Sequence, residues 1–548
     1  MNNFFYLWIL AFLPIGAVLI LMTKFNWGGG KAGAAGWLIT LVIAWAAFGA
    51  NPRLIAYSQM KGLLLSLNVL YIIWAALLLY NVVKETGAIA EIGNSIQEFS
   101  SDKVIQLLLF GWVFGSFLQG VAGYGIPIAV VAPLLVGMRF NTIVAVAVPA
   151  IAHSWSVTFG SMGASFQALV AVTGMELAQL APWCAVYLGL ATYLCGIASI
   201  HVYGGWRSVL HGLLAVFIVG TVMASTQYFL STNGMWTMGG FGASLAGLAA
   251  CILVARAPIY TRDNGSNIDK ETKDKSRMGL WWALSAYFIL ILVVLLVQLY
   301  SPLHEFANKI KLTMHFPRIE SDLGWIVEAS DGKKISIFGH GGALLAYASF
   351  LSFCLYSLRG YYKNGAINTI LQQTVKSGIP TTIGIVSMVG FALVMDQCGM
   401  TYQLAKGISL CFGAEFSFFA PWIGLLGAFM TGSNTNSNVV FGVLQQQTAL
   451  LAGLNVAIIL AAQTTGGALG SMIAPAKILV GCSTVGLSGK EAPVLKVTIS
   501  YGLILTAIFG VFTGVLGLLT YISHMGKLNF RFIHLLPNIL ITYLYNNK

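Results

Sequence analysis

The sequence predicts an all-α polytopic membrane protein of roughly twelve to fourteen transmembrane or re-entrant segments, arranged as two repeated halves with re-entrant hairpins. Three observations carry this expectation. The 548 residues are 57% hydrophobic and only 8% charged, with a mean hydropathy of +0.82, whereas a soluble domain is about a quarter charged. Apolar stretches of about 20 residues, the length that crosses a hydrocarbon core, recur along the chain, as at 4–22, 209–230 and 280–300. The third observation is an internal repeat.

The first apolar stretch has no basic residue before Lys24 and no small-residue cleavage site ahead of a soluble domain, so it is expected to be an uncleaved first helix. The net charge of +12 comes from residues scattered among short loops, without the basic face of a nucleic-acid binder. Positive-inside topology and contact with anionic lipid account for it. Cys184, Cys195, Cys251, Cys354, Cys398, Cys411 and Cys482 form no C-x-x-C pair and lie in or beside apolar runs, as small core residues do. No metal or cofactor is expected.

Two polar interruptions, at 256–278 and 301–334, flank the apolar stretch 280–300 and so fall on opposite sides of the membrane. The first is the richer in Lys and Arg over Asp and Glu, and with Arg359, Lys363 and Lys376 it is expected on the cytoplasmic side.

The repeat is read from glycines. Gly115-Ser-Phe-Leu-Gln-Gly120 aligns with Gly427-Ala-Phe-Met-Thr-Gly432 at an offset of 312, and Gly87 aligns with Gly399 at the same offset. Gly160-Ser-Met162 answers to Gly470-Ser-Met472 after a slip of two residues. The halves run roughly over 58–174 and 374–486. The chain then divides into N-terminal helices (1–57), a first repeat (58–200), connecting helices and polar loops (201–370), a second repeat (371–490) and a C-terminal helix and tail (491–548). Duplicated halves mark a secondary transporter in which related units close around a substrate near the bilayer midplane, with inverted topology the expected arrangement.

Each half holds a segment too polar and glycine-rich to face lipid: 120–127, with Gly120, Gly123 and Gly125 beside Gln119, and Gly432-Ser-Asn-Thr-Asn-Ser-Asn438. Backbone broken at membrane depth must be buried in protein or line a cavity. Its exposed helix N-termini suit an anion, and Ser433, Asn434, Thr435, Asn436, Ser437 and Asn438 add hydroxyls and amides. A carboxylate is the ligand this chemistry favours. Ser161, in the Gly-Ser-Met repeat, and Gln463-Thr464-Thr465, read as a further polar break, join the expected binding set. The alternative for the Gly-Ser-Met segments is close helix packing by small residues.

Ionisable groups inside membrane segments are expensive and default to function. His153 lies in the first repeat, and imidazole titrates near neutral pH. Asp396 ends an apolar run from Ile379. Both are expected proton carriers, against a core histidine and a charge snorkelling at a helix end. Arg139, Glu176, Lys406, Glu415 and Lys477 fall at expected turns or helix ends, where solvation explains most of them.

There is no G-x-x-x-x-G-K-[ST] loop and no G-x-S-x-G elbow, and His304-Glu305 meets Asn308 where a zinc protease needs a second histidine. ATP-driven pumps and intramembrane hydrolases are therefore disfavoured, and an enzyme is not expected.

The segments Gly111–Pro127, Phe159-Gly-Ser-Met-Gly163, Gly427–Asn438, Ala462–Gly467 and Val485–Glu491 resemble the bacterial L-lactate permease family, and the similarity runs over nearly the whole chain. The resemblance implies a multi-pass protein of the bacterial inner (plasma) membrane. It would carry L-lactate, D-lactate and glycolate together with a proton, with a small carboxylate, the proton and lipid as its partners, and it is compatible with a homo-oligomer. Ser433-Asn434-Thr435 is similar to the tip signature of a broader superfamily of anion carriers, which implies an elevator-type motion. Many relatives place an acid where this chain has Gln119 and Asn434, so proton coupling here falls to His153 and Asp396. The competing functions are a passive channel or a sodium-coupled carrier for the same anions.

Overall fold

The computed structural model describes residues 2–25, 27–89, 91–92, 100, 102–121, 123, 125–261, 278–332, 334–487 and 491–545. Most of the polar interruption 256–278, part of the 485–491 motif and Lys548 lie outside these residues, as do the side chains of Arg531 and His534.

Helices α1 (Asn2–Thr23) and α2 (Gly29–Ala47) precede α3 (Pro52–Glu85). Asn51 starts α3 by accepting from Leu54 N, with Pro52 in the first turn where no N–H is missed. Asp102 likewise caps α4 (Lys103–Leu107), which continues through a π-helical turn (Leu108–Phe114) into α5 (Gly115–Val121). This span is buried throughout, so protein and not lipid surrounds it. Next come α6 (Ile126–Gly137), α7 (Thr142–Ala152), a 3-10 turn (Ser154–Ser156) and α8 (Gly160–Thr173), with α7 and α8 bent against each other by 51°.

The connecting region holds α9 (Leu177–Thr232), α10 (Gly239–Ala255), α11 (Pro258–Thr261), α12 (Leu280–Leu299), α13 (Ser301–Ala307) and α14 (Gly341–Leu358). Gly204 and Gly205 leave helical geometry and divide α9 into two crossings. The later half holds α15 (Ala366–Gln397), α16 (Met400–Phe412), α17 (Phe416–Thr431), α18 (Asn434–Leu451), α19 (Val456–Gly470) and α20 (Pro475–Thr484), and α21 (Ala492–Tyr545) closes the described chain. Among the described residues, eleven helical runs are long and apolar enough to cross a membrane, or twelve with the bent pair, and α6 and part of α12 are shorter apolar helices.

The stretches from α3 to α8 and from α15 to α20 share some backbone features. Gly87 after α3 and Gly399 after α15 both take left-handed φ, at 79° and 84°, as do Gly123 after α5 and Gly432 after α17, at 65° and 68°.

Two expectations need correction. The interruption 301–334 is not irregular: after α13 it folds into an antiparallel hairpin in which β1 (Lys311–Leu312) pairs with β6 (Ile335–Ser336), β2 (His315–Phe316) with β5 (Ser330–Asp331), and β3 (Ile319–Glu320) with β4 (Ile326–Val327). It docks on the start of α3, where Asn51 Nδ2 donates to Glu320 O at 3.0 Å and Phe316 buries itself edge-on to Tyr57. His315 and Lys334 hold the exposed Asp331 carboxyl below its usual range by hydrogen bonding to it. Gln463-Thr-Thr-Gly-Gly467, expected as a break, lies inside the continuous helix α19, and the chain leaves helical structure only at 471–474. Gln463 and Thr464 find side-chain partners on α18, so the backbone has no need to open for them.

Helix α15 packs along α3 and α2, and α14 along α3. Trp74 Nε1 donates to Thr382 Oγ1 and Asn81 Nδ2 to Thr374 Oγ1 across the α3–α15 seam. The closest backbone approach joins α17 to α19. A Cβ built on Gly466 would lie 1.8 Å from Pro421 O, and one on Gly424 would lie 2.0 Å from Gln463 O.

Gly466→Ala is therefore expected to force α17 and α19 apart at a cost of about 1 to 3 kcal/mol. Thermal unfolding in detergent should show a lower midpoint for Gly466→Ala. Gly137→Ala, where a Cβ would meet nothing within 4 Å, should match the parent; equal midpoints for all three proteins would refute the close-approach argument.

Candidate functional site

The site forms where two backbone breaks meet the bend between α7 and α8. At the first break α5 ends at Val121, Gly123 and Gly125 turn the chain with φ of 65° and 84°, and Pro127 sits in the opening turn of α6. Gly123 has no room for a side chain: a Cβ there would lie 2.0 Å from Ser161 Oγ and 3.2 Å from Gln119 Nε2. A Cβ on Gly160 would come within 3.0 Å of the same Gln119 nitrogen. Gln119, Gly123, Gly160 and Ser161 thus converge. Gly120 does not join them, since its bare Cα serves a close approach to Phe241 of α10.

Ser161 and Met162 hold left-handed φ of 48° and 54°, followed by Gly163 at 75°. Such geometry costs a non-glycine residue of order 1 to 3 kcal/mol and persists only where the surroundings fix it. Here Phe166 N donates to Thr158 O across the bend, and Gly240 N donates to Phe159 O.

At the second break Gly432 closes α17 and Ser433 caps α18, its hydroxyl accepting from Asn436 N at 3.3 Å. Residues Asn434, Thr435, Asn436, Ser437 and Asn438 are at most 8% exposed. Asn434 Nδ2 donates to Thr158 Oγ1 at 3.1 Å and to Thr464 Oγ1 at 3.2 Å, and these two threonine hydroxyls lie 3.1 Å apart. Asn438 Nδ2 donates to Thr464 Oγ1 and to Ser165 O, while the Ser165 and Thr435 hydroxyls bond each other at 2.9 Å. Behind them Gln445 Nε2 donates to Gln463 Oε1, and Gln463 Nε2 donates to Ser437 Oγ. Most expected members of the second-repeat set are therefore in one hydrogen-bonded cluster, with Thr465 beside it on α19.

This cluster turns out one kind of atom. The amide nitrogens of Asn434, Asn438, Gln445 and Gln463 have partners, whereas the buried oxygens Asn434 Oδ1, Asn436 Oδ1, Asn438 Oδ1, Gln445 Oε1 and Gln119 Oε1 have none among the described residues. Thr465 Oγ1 is also without one. What remains as donor at the second break is the opening turn of α18, where Ser433 occupies only Asn436 N.

His153 is fully buried at the end of α7. Its Nδ1 contacts Pro149 O, and because a carbonyl only accepts, Nδ1 carries the hydrogen and Nε2 keeps its lone pair. Nε2 has no partner among the described residues. Asp396 sits elsewhere, in a chain at the end of α15 where Lys61 Nζ donates to Gln397 Oε1 and Gln397 Nε2 to Asp396 Oδ2. The Phe316 ring of the hairpin lies 5.3 Å from Lys61 Nζ. The structure does not bring Asp396 to the polar cluster.

Lys477 requires correction. Its sequence position suggests a solvated helix end, but it is 8% exposed in the first turn of α20. Its Cγ packs 3.7 Å from the Cβ position of Gly125. The helix end is there, but it points into protein. Thr158, Ser165 and Gln445 are likewise members that the sequence does not single out. A signal for Lys477 exists: it stands alone between Ala474-Pro-Ala and Ile478-Leu-Val, with no acid before Glu491.

The chain aligns with the L-lactate permease of Bacillus subtilis at 29% identity, over 92% of this chain and 98% of that one. It aligns with the glycolate permease GlcA of Escherichia coli K12 at 26%, over 92% and 94%. Among solved structures it overlays on the Alcanivorax borkumensis YdaH transporter with a TM-score of 0.45 at 14% identity, covering 82% and 85% of the two chains. The profile described as L-lactate permease matches residues 8–520, almost the whole membrane-embedded chain and both broken segments, and the chain belongs to that family.

Proposed function

We propose that this permease takes up L-lactate and related 2-hydroxy monocarboxylates, D-lactate and glycolate among them, across the bacterial plasma membrane by proton-coupled secondary transport. The names of the relatives supply the substrate class. The observation that carries the mechanism is that the two breaks, at 123–125 and 432–433, border one buried polar cluster joined across the halves by Asn434 and Thr158. Broken helices at membrane depth facing a common site are how carriers bind a small anion, and the shared backbone features support duplicated halves, for which inversion is the arrangement we infer. Because the cluster is buried on every side, a substrate reaches it only when elements part. That favours alternating access over an open channel.

The carboxylate is placed by this reading between the free N–H groups at the start of α18 and the Gly123–Gly125 turn, where helix N-termini favour negative charge. His153 is the proposed proton carrier: its Nε2 is unpartnered among the described residues and it closes α7 at the bend, whereas Asp396 ends α15 in a chain with Gln397 and Lys61. A second reading has its own observation. The unpaired oxygens of Asn434, Asn436 and Asn438 are hard, neutral acceptors of the kind that hold a sodium ion, which makes sodium the alternative coupling ion.

Counterflow into proteoliposomes loaded with L-lactate should be competed by D-lactate and glycolate and little by citrate; citrate competing equally would reject the substrate class. Ser433→Ala and Asn434→Ala, made separately and checked for surface expression, are each expected to weaken apparent lactate affinity by about tenfold to a hundredfold, the loss of one or two hydrogen bonds. Unchanged affinity in both would remove the α18 tip from the site. His153→Gln should keep lactate exchange near the parent rate while abolishing accumulation driven by an inward proton gradient. Accumulation that persists in His153→Gln and follows an imposed sodium gradient would replace the proton by sodium.

A further inference from the structure

Lys477 carries a side chain that is almost wholly enclosed, with no ion pair among the described residues. It occupies the third position of α20, directly after the non-helical turn 471–474, and is 8% exposed. Among the described residues the ion pairs are His211–Asp102, His315–Asp331, Arg318–Glu328 and Lys334–Asp331, and none includes Lys477. An isolated charge in a membrane interior is strongly unfavourable and is kept where a counter-charge arrives.

The surroundings of Lys477 indicate what arrives. Its stem lies along Gly125, whose missing side chain leaves the turn open beside it. At the end of α7, His153 Nε2 has no hydrogen-bond partner among the described residues. On the other side of the turn, Gln119 is 2% exposed, its Nε2 is held against Gly123 and Gly160, and its Oε1 is an unpaired acceptor. A fixed cation and an unpaired acceptor around one glycine turn match the two polar ends of a 2-hydroxy carboxylate. The carboxylate is the anion, and its 2-hydroxyl is a donor.

We infer that Lys477 is the specificity-determining cation that pairs with the substrate carboxylate, and that Gln119 Oε1 accepts the 2-hydroxyl hydrogen. This rests on the transport reading above and deepens it. One buried cation has two consequences for selectivity. A monocarboxylate neutralises the site, whereas a dicarboxylate of similar size brings a second charge that nothing here meets. An acid lacking the 2-hydroxyl leaves Gln119 Oε1 unpaired, and a site built to bond a hydroxyl rejects the analogue that lacks it.

The test uses the full chain in proteoliposomes and in detergent. In the parent protein, L-lactate should compete for exchange far better than propionate, which lacks the hydroxyl, and better than succinate, which carries a second carboxylate. Lys477→Met should raise the lactate concentration for half-maximal exchange by about a hundredfold, as expected for a lost charge-assisted bond. It should also abolish the rise in thermal midpoint that lactate gives the parent, while its own midpoint without lactate stays level or rises, because an unpaired buried charge has been removed. Gln119→Leu should bring propionate and lactate to equal competition. Lys477→Met with parental half-saturation, or a parent protein that exchanges succinate as readily as lactate, would overturn the assignment; the second measurement needs no variant to fold. A parent protein that exchanges none of these acids would instead overturn the transport reading itself.

Discussion

The structure depends on how a broken backbone is made tolerable inside a membrane. Lipid offers no hydrogen bonds, so every polar group released by the breaks must find protein. Asn434 ties the second break to its surroundings, because its amide nitrogen reaches Thr158 at the α7–α8 bend and Thr464 on α19 at once. A typical buried hydrogen bond is worth about 1 kcal/mol net, yet leaving one buried group unpaired costs about 1 to 3 kcal/mol. The knot is thus held less by what each bond contributes than by what its absence would expose. It also fixes distance, since a Cβ on Gly467 would lie 2.1 Å from Asn434 Oδ1.

The glycines and the strained residues follow from this knot. Gly424 and Gly466 let α17 and α19 touch through backbone, which brings Gln463 and Thr464 within reach of the α18 tip. Ser161 and Met162 accept left-handed backbone because Thr158 and Phe159 on one side and Phe166 on the other are already fixed by hydrogen bonds. Strain at that bend is balanced by the surrounding packing: Phe159 lies against Phe166, and Phe166 against Trp236. If the proposed substrate binds there, side chains held in this way have little freedom left to lose.

Composition and hydropathy are enough for the all-helical membrane class, and glycine spacing is enough to point to both breaks, because a polar, glycine-rich run at membrane depth cannot face lipid and has to be enclosed by protein. Ser433 to Asn438 are legible for the same reason. Other features depend on tertiary contacts that periodicity does not encode. Gln463 to Thr465 look like a break until α18 is seen to supply partners for Gln463 and Thr464. Lys477 looks like a solvated helix end until α20 is seen to start beside Gly125. The hairpin 311–336 is hidden by its charge, since its strands bury little beyond Phe316 and Ile335 and carry no clear alternation. The surroundings of Asp396 are not legible either, because a sequence does not show that its carboxylate accepts from Gln397, which in turn accepts from Lys61 beside that hairpin.

The polarity of the cluster bears on coupling. The α18 tip and its neighbours turn unpaired oxygens inward, while the Gly125 side presents the Lys477 ammonium. A substrate anion on the one side and a proton or metal cation on the other would lie a few ångströms apart in a medium of low effective dielectric, where their attraction far exceeds its value in water. Each ligand would then bind weakly alone and well together. Such linkage is reciprocal: whatever the cation adds to anion affinity, the anion adds to cation affinity. On the proposed reading, coupling would need no separate gate for each ion: burying both in one closed site, where an unbalanced charge is costly, would be enough.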